Sequence, residues 1–256
     1  MTAPVRIERD GAVAVVTLDR AERMNALDLS MRQALAAAFT ALAGDHAVRA
    51  IVVTGGDMVF AAGADLKLLA DKGPSGVRNL GFADLWRPIA ECPKPVVAAV
   101  QGFALGAGCE LAMMCDIIVA DPSARFGQPE IRVGIMPGAG GTQRLARLVG
   151  KHVASLMLLT GDPLTAARAA ALGMVSELVD EGEALARATA IAGKIAAMPP
   201  LAVAAIKRTL ASGVDLPLAA AMALENREFL LLFDSADQKE GMTAFLEKRK
   251  PMFEGR

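Results

Sequence analysis

Gly102-Phe-Ala-Leu-Gly-Ala-Gly-Cys-Glu110-Leu-Ala-Met-Met114 is the stretch from which the fold is read. It is a glycine-rich turn that runs directly into an apolar segment, with one carboxylate at the junction. Small residues at 104, 106, 107 and 108 let backbone N–H groups approach a ligand closely. A helix starting at about Ala107 would aim its free N–H groups and its dipole at whatever lies there. That arrangement suits an oxygen that gains negative charge during a reaction.

Buried strands flank this turn. Pro95-Val-Val-Ala-Ala-Val100 enters it and Asp116-Ile-Ile-Val-Ala120 follows it. Upstream, residues 5–18 end in a β-branched run and read as a strand. Asp28 or Ser30 caps a helix to about Ala43, with Gln33 placed for a capping box with Ser30 and Gly44 ending it. Arg49-Ala-Ile-Val-Val-Thr54 is a further buried strand. Phe60-Ala-Ala-Gly-Ala-Asp-Leu-Lys67 is a second small-residue turn into a helix, and residues 70–80 read as a charged loop. Residues 125–142 are long, irregular and rich in turn formers, a pattern that often marks function. Thr142 caps a helix to about Val149. Residues 151–160 and 164–172 read as helices, with a short strand over 174–179. Beyond them everything reads as helical, over 182–197, 200–212, 215–233 and 236–249. Strands alternating with helices give an α/β class with parallel pairing. A soft boundary at Pro199-Pro200 divides a core, residues 1–198, from a helical C-terminal region, residues 199–256.

Composition narrows the chemistry. With 256 residues and 54% hydrophobic content, the chain can bury one large core. The net charge of −1 gives no global field toward nucleic acid or an anionic membrane. Glu110, Asp116 and Asp121 interrupt the longest apolar stretches, and the first residues carry no apolar signal segment, so a soluble cytoplasmic protein is expected. Three cysteines form no C-x-x-C pair. Two histidines and no tyrosine exclude a three-histidine metal site, and no metal is expected. No G-x-S-x-G elbow or phosphate loop occurs. The acids and bases of any enzyme here are therefore expected to be carboxylates.

Two carboxylates qualify. Glu110 is either a first-turn glutamate favoured by the helix dipole or a buried catalytic group, and position alone does not separate the two. Glu130 follows Gln128-Pro129 and taken alone reads as a solvated loop acid. As a pair facing one space, they could divide the work of holding water and passing protons. Gly63-Ala64 and Gly106-Ala107 are either tight packing turns or two backbone donors for one oxygen. Cys109, Cys115 and the methionines from Met113 onward read as core. Lys207, Lys239, Lys248, Arg249 and Lys250 read as a solvated basic face.

Taken together, these segments resemble the enoyl-CoA hydratase/isomerase, or crotonase, superfamily nearly end to end. The resemblance is carried by Arg23-Met-Asn-Ala-Leu27, Phe60-Ala-Ala-Gly-Ala-Asp-Leu66, the opening stretch, Phe126-Gly-Gln-Pro-Glu130, Pro137-Gly-Ala-Gly-Gly-Thr-Gln-Arg-Leu145 and Glu240-Gly-Met-Thr-Ala-Phe-Leu-Glu-Lys-Arg249. It implies a spiral core of ββα turns and a helical C-terminal region that packs in trimers, often paired into hexamers. It also implies an acyl-CoA thioester as substrate, with coenzyme A part of that substrate and no separate cofactor. Ala64 and Ala107 would donate to the thioester oxygen. Met24, Ala26, Ala62, Asp65 and Leu66 would line the coenzyme A moiety, beside Gly63, Gly106 and Pro129. Gly138 would complete the water and acyl end. Glu110 and Glu130 fall on the family's catalytic positions, which implies syn hydration of a trans-2-enoyl-CoA. An isomerase or a non-catalytic acyl-CoA-binding protein of the same fold is the alternative. Ala107 stands where many relatives have glycine, which keeps the backbone donor and adds a methyl group beside the acyl chain.

Overall fold

A computed structural model describes residues 3–256. In chain order the first elements are β1 (Val5–Asp10), β2 (Val13–Leu18), α1 (Leu29–Gly44), β3 (Ala50–Thr54), α2 (Pro74–Arg78), α3 (Phe82–Ala90) and β4 (Val96–Val100). Then come β5 (Phe103–Leu105), α4 (Ala107–Met114), β6 (Ile117–Ala120), β7 (Arg125–Gly127), α5 (Gly141–Val149), α6 (Lys151–Thr160), β8 (Leu164–Thr165) and α7 (Ala166–Ala171). The chain closes with β9 (Glu177–Leu178), α8 (Ala184–Ala196), α9 (Pro200–Gly213), α10 (Leu218–Leu232) and α11 (Ala236–Leu246).

The main sheet has the order β1-β2-β3-β4-β6-β9. Its first pair is antiparallel and every later pair is parallel. Parallel strands need cover on both faces, and the Val/Ala runs of β3 and β4 are buried at every position. Alternation divides them between two cores. Ile51, Val53, Val96, Ala98 and Val100 join Met31, Phe39 and Trp86 on one face. Ala50, Val52, Val97 and Ala99 meet Ala184, Ala188, Ala192 and Ala196 of α8 on the other. Alanines four residues apart form one stripe, which lets α8 lie close to the sheet. A second, smaller sheet of β5, β7 and β8 stands beside the first.

The mixed α/β architecture with a helical C-terminal region agrees with expectation, and several local readings change. Residues 5–18 are two strands joined at Gly11, whose φ of +57° makes the tight reversal. The Asp28 side chain caps α1 by accepting from Met31 N at 2.9 Å, so no Ser30–Gln33 box forms. Residues 74–78 of the expected loop form a short helix, and residues 82–90 form a helix that the sequence reading passed over. The Gly63 turn leads into a 3-10 turn over 66–68 in place of a full helix. Gly140, not Thr142, precedes α5. The helix expected over 164–172 starts at Ala166, after the two-residue strand β8.

β3 and β4 run parallel, so their carboxyl ends leave the sheet at the same edge. The segments 55–65 and 101–106 therefore emerge side by side, and the candidate site is built on them.

Candidate active site

Three segments align beyond this edge. Ala61 pairs in parallel with Ala104, and Leu27 pairs in parallel with Ala64. Ala61 N donates to Phe103 O and Leu105 N to Ala61 O, each at 2.9 Å, while Leu27 N donates to Gly63 O at 2.8 Å. Gly63 has φ of +109°, and a Cβ there would stand 3.0 Å from Leu105 O and 3.9 Å from Ala107 N. Only glycine allows the two turns to approach this closely. Among the described residues Ala64 N–H and Ala107 N–H donate to no acceptor. Ala107 opens α4, where first-turn amides have no intrahelical partner.

Asn25 fastens the outer segment. It is fully buried with φ of +51°, and its carboxamide nitrogen donates to Gly55 O at 2.9 Å, Val59 O at 2.9 Å and Phe60 O at 3.1 Å. Its Oδ1 accepts from Arg20 N at 2.9 Å. Asparagine tolerates the left-handed region better than most residues. In the sequence Asn25 stands out only as part of the Arg23–Leu27 motif. An asparagine in a loop between apolar runs was the available signal.

Glu110 lies on the first turn of α4 and is 2% exposed. Its Oε1 accepts from Ala139 N at 2.7 Å and Gly141 N at 2.8 Å, at the amino end of α5. These bonds fix the carboxylate, and its Oε2 takes no hydrogen bond among the described residues. Glu130 sits in the 3-10 turn over 129–133 that Pro129 starts. Its Oε1 lies 2.9 Å from where a Cβ on Gly106 would stand. Gly106 O in turn accepts from Glu110 N at 2.9 Å. Burial, reinforced by the charge of Glu110, raises the Glu130 carboxyl to about 7 against the lowering effect of a backbone hydrogen bond. Gln128 is fully buried beside it, and with its amide oriented by the network it donates to Glu130 at 3.1 and 3.2 Å.

The remaining candidates occupy the rim or the frame. Met24 and Leu66 are exposed, Met24 O accepts from Ala62 N at 3.0 Å, and Ala26 and Ala62 are half-buried. Asp65 caps the 66–68 turn through Lys67 N at 3.0 Å. Gly138 is exposed, next to the Ala139 amide that holds Glu110. Burial, with the charges of Glu110 and then Glu130, raises the Cys109 thiol, which fits a core residue and not a nucleophile. Not all of the expected basic face is free. Lys207 donates to Lys94 O at 2.8 Å and to Asp116 at 2.6 Å, and Arg249 grips Glu240 at 2.6 and 2.8 Å.

Two amides without a partner among the described residues, at abutting turns with two acids beside them, are the arrangement that carbonyl chemistry through an anionic oxygen calls for. The chain belongs to the enoyl-CoA hydratase/isomerase family, whose model matches residues 8–256. It is 44% identical to the 2,3-dehydroadipyl-CoA hydratase of Escherichia coli, over 98% of each chain. It is 43% identical to a crotonyl-CoA hydratase of Syntrophomonas wolfei, over 96% of each. Among solved structures, an enoyl-CoA hydratase subunit from Geobacillus kaustophilus superposes with a TM-score of 0.95 at 43% identity, covering 99% of this chain and 98% of that one.

Proposed function

We propose that this protein hydrates trans-2-enoyl-CoA thioesters, adding water syn across the double bond to give a 3-hydroxyacyl-CoA. One observation carries the reading: the Glu130 carboxylate lies against Gly106 and within the field of Glu110, beside two amides that have no partner among the described residues. Ala64 and Ala107 N–H hold the thioester oxygen as electron density moves onto it. Each such donor contributes about 3–4 kcal/mol to the barrier in comparable sites. Glu110, clamped through Oε1, uses Oε2 to orient water and take its proton as oxygen bonds to C3. Glu130 delivers a proton to C2, a task suited to a carboxyl whose pKa lies near 7. Gln128 holds Glu130 in place.

Met24, Ala26, Ala62, Asp65 and Leu66 form the rim for the coenzyme A moiety, with Gly138 at the water and acyl end. The substrates we carry over from the relatives are short enoyl-CoA esters and the six-carbon ester with a carboxylate tail. Residues 199–256 form the self-association region of a trimer or a pair of trimers. The exposed apolar side chains Leu210, Leu218, Phe229, Phe245 and Leu246 support this. We assign the protein to the cytoplasm, in line with the lack, among the described residues, of any single helix long and apolar enough to cross a membrane.

The test is incubation with crotonyl-CoA in heavy-oxygen water. Hydration removes the enoyl-thioester absorbance and places the label at C3. Double-bond migration without label would identify an isomerase, and no turnover of any enoyl ester would end the reading.

A further inference from the structure

Among the described residues Arg32 is the only buried cation, 3% exposed on α1. Its Nε donates to Leu27 O at 2.9 Å. Its guanidinium carbon lies 4.2 Å from the ring centre of Phe82 and 4.8 Å from that of Trp86, both on α3. Neither Nη group has an acceptor among the described residues, although neither is sealed from solvent. Trp86 Nε1, beside it, is buried and also without a partner. Two neighbouring donors therefore lack an acceptor, in a fold where most buried polar groups are paired.

The position ties Arg32 to the reaction site. The Leu27 carbonyl it grips belongs to the segment paired with Gly63 and Ala64. Burial lowers the guanidinium to about 10, and of the two carboxylates that oppose this, Glu110 outweighs Asp28. The cation thus lies within the field of the acid assigned to C3, and it keeps its charge at neutral pH. Holding a buried ion without a counter-ion partner is costly, and an apolar side chain between two aromatic rings would avoid that cost. A carboxylate accepts only, and its two oxygens match the guanidinium fork. Near Glu110 and Glu130, a third negative group would be repelled unless a cation met it.

We propose that Arg32, with Trp86 beside it, is a subsite for an anionic acyl terminus, so that the preferred enoyl-CoA esters end in a carboxylate. The proposal rests on the hydratase reading and adds a residue that selects the tail. The Phe82 and Trp86 rings hold the guanidinium plane, and the free Nη groups meet the carboxylate a few carbons beyond C3. A methyl-ended chain of the same length leaves those donors unpaired.

The test compares kcat/KM for 2,3-dehydroadipyl-CoA and trans-2-hexenoyl-CoA, which share a six-carbon backbone. The protein is expected to favour the dicarboxylic ester by about ten-fold or more, the range of a charged hydrogen bond. Arg32→Met should remove that preference, with the loss falling on KM for the dicarboxylic ester, and Arg32→Lys should keep part of it. A natural preference at or below one, or a ratio unchanged in Arg32→Met, would overturn the subsite. Should Arg32→Met not fold, Arg32→Lys with an unaltered ratio would count equally against it. Turnover of neither ester would sink the hydratase reading itself. Binding of adipyl-CoA against hexanoyl-CoA would then test the subsite alone, with equal affinities rejecting it.

Discussion

Ala64 and Ala107 each stand three residues beyond the parallel bridge between Ala61 and Ala104, a register that sets the two residues at one level along the paired segments. A parallel pair keeps equal steps in register along both strands. The bridge, the bonds from Ala61 N and Leu105 N, and the close approach at Gly63 hold that level. The preorganisation is thus a property of backbone pairing, and side chains at 64 and 107 need only be small.

Ala107→Pro tests the donor directly. Position 107 is the first residue of α4, where proline is tolerated because its missing N–H has no helical partner. The substitution removes one oxyanion donor and leaves both acids in place. We expect kcat to fall by about 100- to 1,000-fold, with thermal unfolding little changed. A rate close to the unsubstituted protein would show that the Ala107 amide does not meet the reacting oxygen.

In the proposed mechanism Glu130 sets the pH dependence. Its carboxyl is raised from 4.5 to about 7, chiefly by burial. As the proton donor it must be protonated, so kcat/KM for hydration should decline as pH rises through about 7. Linkage gives a second sign. Between 4.5 and about 7 the native state binds a proton that the unfolded chain has lost, so this group's contribution to stability falls as pH rises across that window. Glu130→Gln should abolish both the alkaline limb and this slope, while lowering turnover by about 100-fold or more. A pH–rate profile and urea titrations at several pH values measure them. A limb that persists in the variant would assign it to another group.

Gly106→Ala probes the placement of the Glu130 carboxylate. The φ of +51° is unfavourable for alanine, and the new Cβ would stand 2.9 Å from Glu130 Oε1. The backbone strain costs about 1–3 kcal/mol. The Glu130 carboxylate must also move away from C2. We expect a melting temperature lower by several degrees, about 2–4 °C per kcal/mol for a chain of this size, together with a loss in kcat of at least about ten-fold. Retention of full turnover would mean that Glu130 acts from another position.

The local features of this protein are legible in its sequence and the long-range ones are not. The apolar runs of β3 and β4, the glycine turns and Glu110 at a helix start all follow from neighbouring residues. The hairpin inside residues 5–18 is signalled by the Gly11-Ala12 turn after Asp10, a signal that a reading by the β-branched content of residues 13–18 alone runs past. The helix α3 is masked by Pro88 within it and by Gly81 at its cap in place of a side-chain capping residue. Asp28, not Ser30, caps α1, a choice between two equally good capping residues. The level of Ala64 with Ala107 depends on strand register. The burial of Arg32 depends on α3 packing against α1, and periodicity in neither helix encodes it.

Asn25→Ala separates scaffold from chemistry. The side chain touches neither glutamate, yet its carboxamide ties residues 20–27 to the carbonyls of Gly55, Val59 and Phe60. Alanine would leave these buried acceptors unpaired and would adopt φ of +51° less readily than asparagine. At about 1–3 kcal/mol for an unsatisfied group, with partial relaxation among the three, we expect a loss of about 3 kcal/mol in chemical denaturation. The Gly63–Ala64 turn is paired to Leu27, two residues from Asn25, so its amide should lose alignment as well. Turnover at saturating substrate should fall below the level explained by the unfolded fraction. Asn25→Asp, which can keep the Arg20 contact but not the amide donations, should fail in the same way. Full activity in the folded fraction of both variants would show that the oxyanion turn is held without Asn25.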